Sequence, residues 1–226
     1  MRPRAIIFDF DGVLLESELE FNRIAAGLLT ELGHPVTVEE ALMHFVGLNG
    51  KDVMQAIESR IGAPVPPDYQ PRMKASGQRV LREGIAAVAG AIEFVRSLPP
   101  DMPRAVASSS SVRWMRGHLA HLGIADAFSD HLYSGAEHVE RGKPAPDLYL
   151  HAAEQLGVGI ADCAIIEDSR VGATGALASG ARVIGLAAGS HCLDGHADML
   201  RAVGVEHIAH SFADVAQLLE LDQPSR

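Results

Sequence analysis

The spacing of hydrophobic residues changes along the chain, and the change divides the sequence into three parts. The first apolar run, Ala5-Ile6-Ile7-Phe8, is short and continuous, as in a buried strand. From Glu16 to about Arg82 the apolar residues recur at helical spacing, and from Ala86 onward short apolar runs alternate with amphipathic segments. We therefore predict a strand, then a helical insertion, then alternating helices and strands.

The helical part carries signals for where its helices begin and end. Gly33 follows an amphipathic run where a helix C-cap belongs. Thr37 and Glu40 have the spacing of a capping box at a helix start. A proline-rich segment at residues 63–67 separates the last two amphipathic stretches. These signals predict a helical domain over residues 16–84, inserted into a core formed by residues 1–15 and 85–226.

The alternation in the last part indicates parallel strands joined by helices. We predict strands at Arg104–Ala107, His131–Tyr133, Ala164–Ile166 and Arg182–Leu186, with helices between them. Such βαβ units form a parallel sheet that is covered by helices on both faces. The predicted fold class is α/β, a Rossmann-like doubly wound parallel sheet with an inserted helical domain.

Polar residues follow the predicted strands at the point where each strand ends. Asp9 and Asp11 are two residues apart, which places them on the same side of an extended chain, although Asp and Gly here could also form a solvated turn. Ser108 and the pair Glu167-Asp168 follow later strands. Because ligands bind beyond the carboxyl ends of parallel strands, we expect these residues to form one site. Acidic groups there need pairing, water or a metal ion.

Two further segments have both a structural and a functional interpretation. The serines at 108–111 could cap the following helix or bind an anion with hydroxyl and N–H groups. Lys143 lies in Gly142-Lys143-Pro144, which lacks the residues of a nucleotide-binding loop. The loop could be a stiffened turn with a solvated lysine, or it could hold that lysine in place to neutralise a phosphate.

Composition excludes some classes of function. The 226 residues are 47% hydrophobic and 21% charged, with a net charge of -10, which argues against a nucleic-acid partner. No apolar run approaches the roughly 20 residues of a membrane span, and the first run is too short for a secretory signal, so we expect a cytoplasmic protein. Cys163 and Cys192 suggest neither a disulfide framework nor a zinc site. His191 and His196 have no carboxylate at ligand spacing and are interpreted as solvated or satisfied, and Trp114 as a packing residue.

Four motifs in order resemble the haloacid dehalogenase-like superfamily of phosphatases and phosphomutases. They are Asp9-Phe10-Asp11-Gly12, Ser108, Gly142-Lys143-Pro144 and Glu167-Asp168-Ser169. Each motif alone is weak evidence for the resemblance, whereas the four in this order are strong evidence. The match spans nearly the whole chain. The helical insertion resembles the cap of the β-phosphoglucomutase-like and sugar-phosphatase branch, where it determines substrate specificity.

The resemblance implies a role for each residue of these motifs. Asp9 would attack phosphorus and form an aspartyl-phosphate, and Asp11 would act as general acid and then general base. Ser108 and Lys143 would bind the phosphoryl group. The implied cofactor is Mg²⁺, held by Asp9, by Asp168 and by the backbone carbonyl of Asp11. Glu167 would either be a ligand itself or lie just behind a ligand and act through water. Gly12 and Ser109 are assigned to substrate binding beside the phosphate.

The resemblance also limits the substrate. β-Phosphoglucomutases carry a cap histidine and a loop arginine where this chain has Phe21-Asn22 and residues 47–51, so hydrolysis is favoured over mutase activity. The candidate substrate contacts in the cap are Gly47, Asn49 and Lys51, although these residues could equally form a turn between helices.

We expect a Mg²⁺-dependent phosphatase for a small phosphorylated metabolite, a sugar phosphate or sugar-acid phosphate. The alternatives are a phosphosugar mutase and a non-catalytic binding module. The expected state is a monomer or weak homo-oligomer.

Overall fold

A computed structural model describes residues 2–46, 48 and 50–221. At its centre is a six-stranded sheet in which every pair of neighbouring strands is parallel. The strands are β1 (Ala5–Phe8), β2 (Arg104–Ser108), β3 (Leu132–Ser134), β4 (Cys163–Glu167), β5 (Arg182–Leu186) and β6 (His207–Ala209). Their order, β3-β2-β1-β4-β5-β6, reverses between β1 and β4. In sheets of this kind ligands bind at such a reversal, outside the carboxyl ends of the strands.

Helices cover both faces of the sheet and form the inserted part of the chain. They are α1 (Ser17–Glu31), α2 (Val38–Phe45), α3 (Gly50–Ile61), α4 (Tyr69–Glu83), α5 (Ala91–Ser97), α6 (Val112–Leu122), α7 (Asp147–Gln155), α8 (Arg170–Ser179), α9 (His196–Ala202) and α10 (Phe212–Leu218). Helices α5, α6 and α10 pack on one face of the sheet, and α7, α8 and α9 pack on the other. The predicted α/β fold, with helices on both faces of a parallel sheet, is confirmed.

Strand β1 shows why its sequence is apolar throughout. Phe8 and Phe10 pack in the hydrophobic cluster on the α5 face, while Ala5 and Ile7 pack in the cluster on the opposite face. All four side chains are fully buried, because a central parallel strand meets helices on both sides. The polar residues Asp9 and Asp11 therefore come after the strand, at its carboxyl end.

Helices α1 to α4 build a hydrophobic cluster of their own, which includes Leu29, Phe45 and Ile57. The predicted capping box is present, since the Thr37 hydroxyl accepts a hydrogen bond from Glu40 N and the Glu40 carboxylate accepts one from Thr37 N. The chain leaves the core and returns to it along paired segments, where Glu16 N donates to Ala86 O at 2.9 Å. These observations agree with an inserted helical domain, and its exact boundaries stay a prediction.

The carboxyl-terminal part contains elements that the sequence pattern did not predict. Strand β6 has only three residues, and α9 and α10 have seven each, which is too short for a clear period. Strand β3 begins at Leu132 instead of the predicted His131, because His131 N donates to Phe128 O in the preceding turn. Among the described residues there is no helix with the length and apolar character that crossing a membrane requires.

His118 is a titratable group inside the core. It is fully buried on α6, its ring lies 4.1 Å from that of Trp114, and neither ring nitrogen has a hydrogen-bond partner in the described part of the chain. Burial lowers the pKa of His118 from 6.5 to about 4, although the charge of Asp11 acts in the opposite direction. Above about pH 4 the folded protein therefore contains the neutral imidazole.

We expect the stability of the protein to fall as the pH is lowered from about 6.5 to about 4, because over that interval the unfolded chain binds a proton at this residue and the folded chain does not. Replacing His118 with Gln should make the stability of the variant depend less on pH than that of the wild-type protein. Urea unfolding at several pH values measures both. An identical pH dependence in wild type and His118→Gln would contradict this account of His118.

Candidate active site

The carboxyl ends of β1, β2 and β4 gather the polar residues predicted from the sequence. Asp9 follows β1, Ser108 ends β2, Glu167 ends β4, and Asp168 comes next. Asp9 N donates to Ile166 O at 2.9 Å, which continues the pairing of β1 with β4 by one residue. These residues therefore lie together at the carboxyl ends of the strands, where the strand order reverses.

Lys143 joins two carboxylates in the buried part of this site. Its Nζ lies 2.6 Å from Asp9 Oδ1 and 2.6 Å from Glu167 Oε1, and only 4% of the lysine side chain is exposed. The loop before α7 thus brings its lysine under the ends of β1 and β4. A solvated lysine, the alternative reading of this loop, is wrong.

Glu167 is bound by donors at both of its oxygens. Besides Lys143, Oε1 accepts from Tyr149 OH at 2.7 Å, and Oε2 accepts from the backbone N and the hydroxyl of Ser169, each at 3.0 Å. Helix α8 approaches so closely that a Cβ at Gly172 would lie 1.7 Å from Oε1. Both oxygens of Glu167 therefore already have hydrogen-bond partners within the protein.

The charges of the site are not balanced by the described residues alone. Burial raises the pKa of Asp9, and the neighbouring Glu167 raises it further, while Lys143 opposes both. Burial and Glu167 likewise raise the pKa of Asp168. For Glu167 itself burial also acts to raise the pKa, but Lys143 together with the hydrogen bonds from Tyr149 and Ser169 N lowers it overall. Lys143 therefore compensates Glu167, and ionised Asp9 and Asp168 call for one more cation.

The two carboxylate oxygens of Asp168 differ in their contacts. Its Oδ2 lies 2.9 Å from His191 Nε2, whereas its Oδ1 is buried without a hydrogen-bond partner among the described residues. Gly12, at a positive φ of 81°, leaves the room for this carboxylate, since a Cβ there would lie 2.0 Å from Oδ2. Carboxylate oxygens of Asp9, Glu167 and Asp168 lie within 4.8 Å of one another. Three carboxylates at this spacing fit a hard divalent cation.

The Asp11 side chain turns to a different set of donors. Its Oδ1 accepts from Ser17 Oγ at 2.7 Å and from Trp114 Nε1 at 3.1 Å. Its Oδ2 accepts from Ser110 Oγ at 2.6 Å and from Ser108 Oγ at 3.3 Å. The Asp11 carboxylate is therefore oriented by residues of β2, the loop after it, α6 and the start of α1.

The four serines from Ser108, which ends β2, to Ser111 make different contacts. Ser108 is buried and accepts a hydrogen bond from Ser110 N at 3.0 Å, and Ser109 is exposed at the same turn. Ser111 caps α6 by accepting from Trp114 N. The segment thus caps a helix and also lines the site.

Residues 6–186 match the family model described as haloacid dehalogenase-like hydrolase. The chain belongs to the haloacid dehalogenase-like hydrolase family. The superfamily resemblance seen in the motifs is confirmed, and the chain is an enzyme of the hydrolase class.

Among its relatives are two phosphatases of Escherichia coli strain K12. The chain is 26% identical to 6-phosphogluconate phosphatase over 84% of this chain and 85% of the relative. It is 28% identical to hexitol phosphatase A over 95% of this chain and 94% of the relative. A similar solved structure is the family hydrolase from Deinococcus radiodurans R1, with bound phosphate and sodium, at a TM-score of 0.86 and 30% identity, covering 99% of both chains. The cytoplasmic location, the lack of a nucleic-acid partner and the oligomeric state stay predictions.

The structure describes one of the three predicted cap contacts, Lys51. Gly47 and Asn49 fall outside the described residues. Lys51 is exposed near the start of α3 and lines a cavity of ≈ 740 Å³ together with residues of α3 and α4. Its part in substrate binding stays a prediction.

The sequence analysis missed five residues that contact the site, namely Ser17, Ser110, Trp114, Tyr149 and His191. Trp114 was interpreted as packing, and it does pack on Phe21 at 5.6 Å between ring centroids, but its indole N–H also binds Asp11. The packing of helices and loops decides these contacts, and no spacing within the sequence indicates them. Only Ser110 had a signal, since it belongs to the run of four serines.

We expect Lys143→Met to destabilise the protein by about 3–5 kcal/mol in a metal-free buffer, because it leaves two buried carboxylates without their cation. Arg141→Met is a matched control in the same loop, since the ion pair of Arg141 with Asp147 is 71% exposed on the arginine side and should contribute no more than about 1 kcal/mol. Urea unfolding measures both variants. Equal losses in the two would show that the buried lysine does not balance the site.

Proposed function

We propose that this protein is a Mg²⁺-dependent phosphatase that hydrolyses a small phosphorylated metabolite through phosphorylation of Asp9. The observation that carries the proposal is the buried cluster at the reversal of the sheet, in which Lys143 bridges Asp9 and Glu167 beside an unpartnered oxygen of Asp168. The phosphatase relatives support the same reaction class.

The donors at this site fit Mg²⁺ better than a softer metal. The three carboxylates supply only oxygen, the ligand atom that Mg²⁺ prefers, and Asp168 Oδ1 is buried with no other partner in the described residues. We assign Asp9, Asp168 and the backbone carbonyl of Asp11 as the ligands, with Glu167 behind them. When bound, the metal ion supplies positive charge that stabilises the oxygens of the transferring phosphoryl group.

Asp9 is the proposed nucleophile. One of its oxygens forms a bond to phosphorus while the bond from phosphorus to the leaving oxygen breaks, and this yields an aspartyl-phosphate. The reaction needs the carboxylate form, which burial alone disfavours. Lys143, 2.6 Å from Asp9 Oδ1, both fixes the orientation of the carboxylate and favours its charge.

Asp11 is the proposed acid and base. In the first step it gives a proton to the leaving oxygen, and in the second it takes a proton from the water that attacks the aspartyl-phosphate. Ser110 and Trp114 hold its two oxygens, so the group is oriented before substrate binds. The hydrogen bond that Ser17, the first residue of α1, donates to Asp11 connects this carboxylate to the helical insertion.

Ser108 and Lys143 are the proposed partners of the phosphoryl oxygens. Ser108 is buried at the end of β2, and Lys143 is buried beneath the ends of β1 and β4. In such places a hydrogen bond to a charged oxygen is stronger than in water. Gly12, in the turn after β1, and Ser109, in the turn after β2, are assigned to the rim of the phosphate site.

The substrate class rests on the helical insertion and on the relatives. We propose a sugar phosphate or sugar-acid phosphate, with specificity determined by the cap over residues 16–84. The names of the two relatives, for 6-phosphogluconate and for hexitol phosphates, define the first substrates to compare. The region of Gly47, Asn49 and Lys51 is the proposed contact with the part of the substrate away from the phosphate.

The test is phosphate release from an aryl phosphate by purified protein with Mg²⁺ or with a chelator. We expect Mg²⁺-dependent turnover that Asp9→Asn lowers by at least about a thousandfold, because the nucleophile is removed. The matched control is Asp130→Asn, at an aspartate whose side chain is 96% exposed, which should keep full activity.

Three outcomes would contradict the proposal. Turnover that persists in the chelator removes the metal dependence, and turnover that persists in Asp9→Asn removes the nucleophile. Absence of phosphate release from aryl and sugar phosphates alike would favour a mutase or a non-catalytic binding module.

A further inference from the structure

Next to the proposed phosphatase site, the loop after β5 brings together a second group of metal-binding residues. One ring nitrogen each of His191 and His196 and the sulfur of Cys192 lie within 4.8 Å of one another. Cys192 Sγ lies 3.5 Å from His191 Nε2, and the same nitrogen lies 2.9 Å from Asp168 Oδ2. Sequence spacing gave no carboxylate for these histidines, but the fold supplies one from the end of β4.

We propose that His191, Cys192 and His196, with Asp168 as the fourth ligand, form a binding site for a transition-metal ion of the zinc class. Two imidazoles, a thiolate and a carboxylate are ligands that Zn²⁺ takes in tetrahedral sites. Thiolate and imidazole donors select such ions over Mg²⁺, which prefers oxygen. The site is therefore chemically distinct from the all-oxygen cluster of Asp9, Glu167 and Asp168.

The distances between the ligand atoms agree with this geometry. Bond lengths of about 2.3 Å to sulfur and about 2.0 Å to nitrogen, at a tetrahedral angle, place the two atoms about 3.5 Å apart. The observed separation of Cys192 Sγ and His191 Nε2 is 3.5 Å. The pair His191 Nε2 and Asp168 Oδ2, now at hydrogen-bond distance, needs to open by only about 0.5 Å to reach the corresponding spacing.

The two histidine rings are held by their surroundings. His196 Nε2 donates to the backbone O of Asp168 at 2.7 Å, which leaves the lone pair on its Nδ1. The His191 side chain is fully buried, and a Cβ at Gly189 would lie 2.5 Å from its Cε1. Because the ring is held this closely, little entropy is lost when it binds a metal ion.

Metal binding has a simple proton balance. The His191 proton moves from Nε2 to Nδ1, an atom that has no hydrogen-bond partner in the described residues, and the thiol of Cys192 releases its proton to solvent. Cys192 and His196 are partly exposed, so an ion can enter from that side.

The site shares Asp168 with the proposed magnesium site. An ion bound to His191, Cys192 and His196 would engage the Asp168 carboxylate, so we infer that zinc inhibits the phosphatase by taking this ligand. The inhibition by zinc rests on the proposed function, whereas the binding of the metal ion does not.

The direct test is titration of the reduced, metal-free protein with Co²⁺ followed by absorption. We expect a thiolate-to-cobalt charge-transfer band with intense visible bands of a tetrahedral site, and their loss in Cys192→Ser. The matched control is Cys163→Ala, at the buried cysteine that begins β4, which should keep the bands. His196→Gln, as a second variant, should weaken Co²⁺ binding by at least about tenfold. Far-ultraviolet circular dichroism shows whether each variant is folded.

Each result decides the assignment. Absence of the charge-transfer band in folded wild type, or its persistence in Cys192→Ser, overturns the site. These outcomes need no turnover, so they are distinguishable from failure of the phosphatase proposal.

Inhibition of aryl phosphate hydrolysis by zinc tests the link to Asp168. At fixed Mg²⁺, Cys192→Ser should keep its basal activity and need at least about tenfold more Zn²⁺ for half inhibition. If Cys192→Ser loses the cobalt bands but keeps the zinc sensitivity of wild type, inhibition through this site is wrong.

Discussion

The arrangement of this molecule depends on one buried cation placed between two acids. Lys143 meets Asp9 and Glu167 at 2.6 Å each, and the three groups come from a loop and from the ends of two neighbouring strands. Desolvated charges are stable only when they are paired and hydrogen-bonded. Tyr149 and Ser169 complete the bonds of Glu167, so that the lysine is shared with Asp9 and remains in contact with the proposed nucleophile.

The three acids of this site carry more negative charge than its one lysine can balance, which is why we propose a metal ion here. One lysine cannot compensate Asp9, Glu167 and Asp168 together, and burial raises the pKa of both aspartates. A divalent cation beside the bare oxygen of Asp168 would restore the balance and ionise the nucleophile. The proposed metal dependence and the proposed aspartyl-phosphate therefore have the same electrostatic origin, and a phosphoryl group would be drawn to the same place.

The sequence was sufficient for the fold and for the residues at strand ends, since parallel strands bring their carboxyl ends to one edge. It was insufficient for contacts made by helix faces and loops. Trp114 and His191 reach Asp11 and Asp168 from 103 and 23 residues away, and their positions depend on how α6 and the loop after β5 pack. Strand β6 was not predicted either, because His207-Ile208-Ala209 is not a continuous apolar run.

The central claim is that Asp9 becomes phosphorylated, and trapping that species tests it most directly. Protein is mixed with a radiolabelled sugar phosphate and Mg²⁺, quenched in acid within the first turnover, digested, and its peptides are analysed by mass spectrometry. The account predicts label on the peptide that contains Asp9, and no label in Asp9→Asn. Release of phosphate in the first turnover without any labelled peptide would contradict it, because water would then attack the substrate directly.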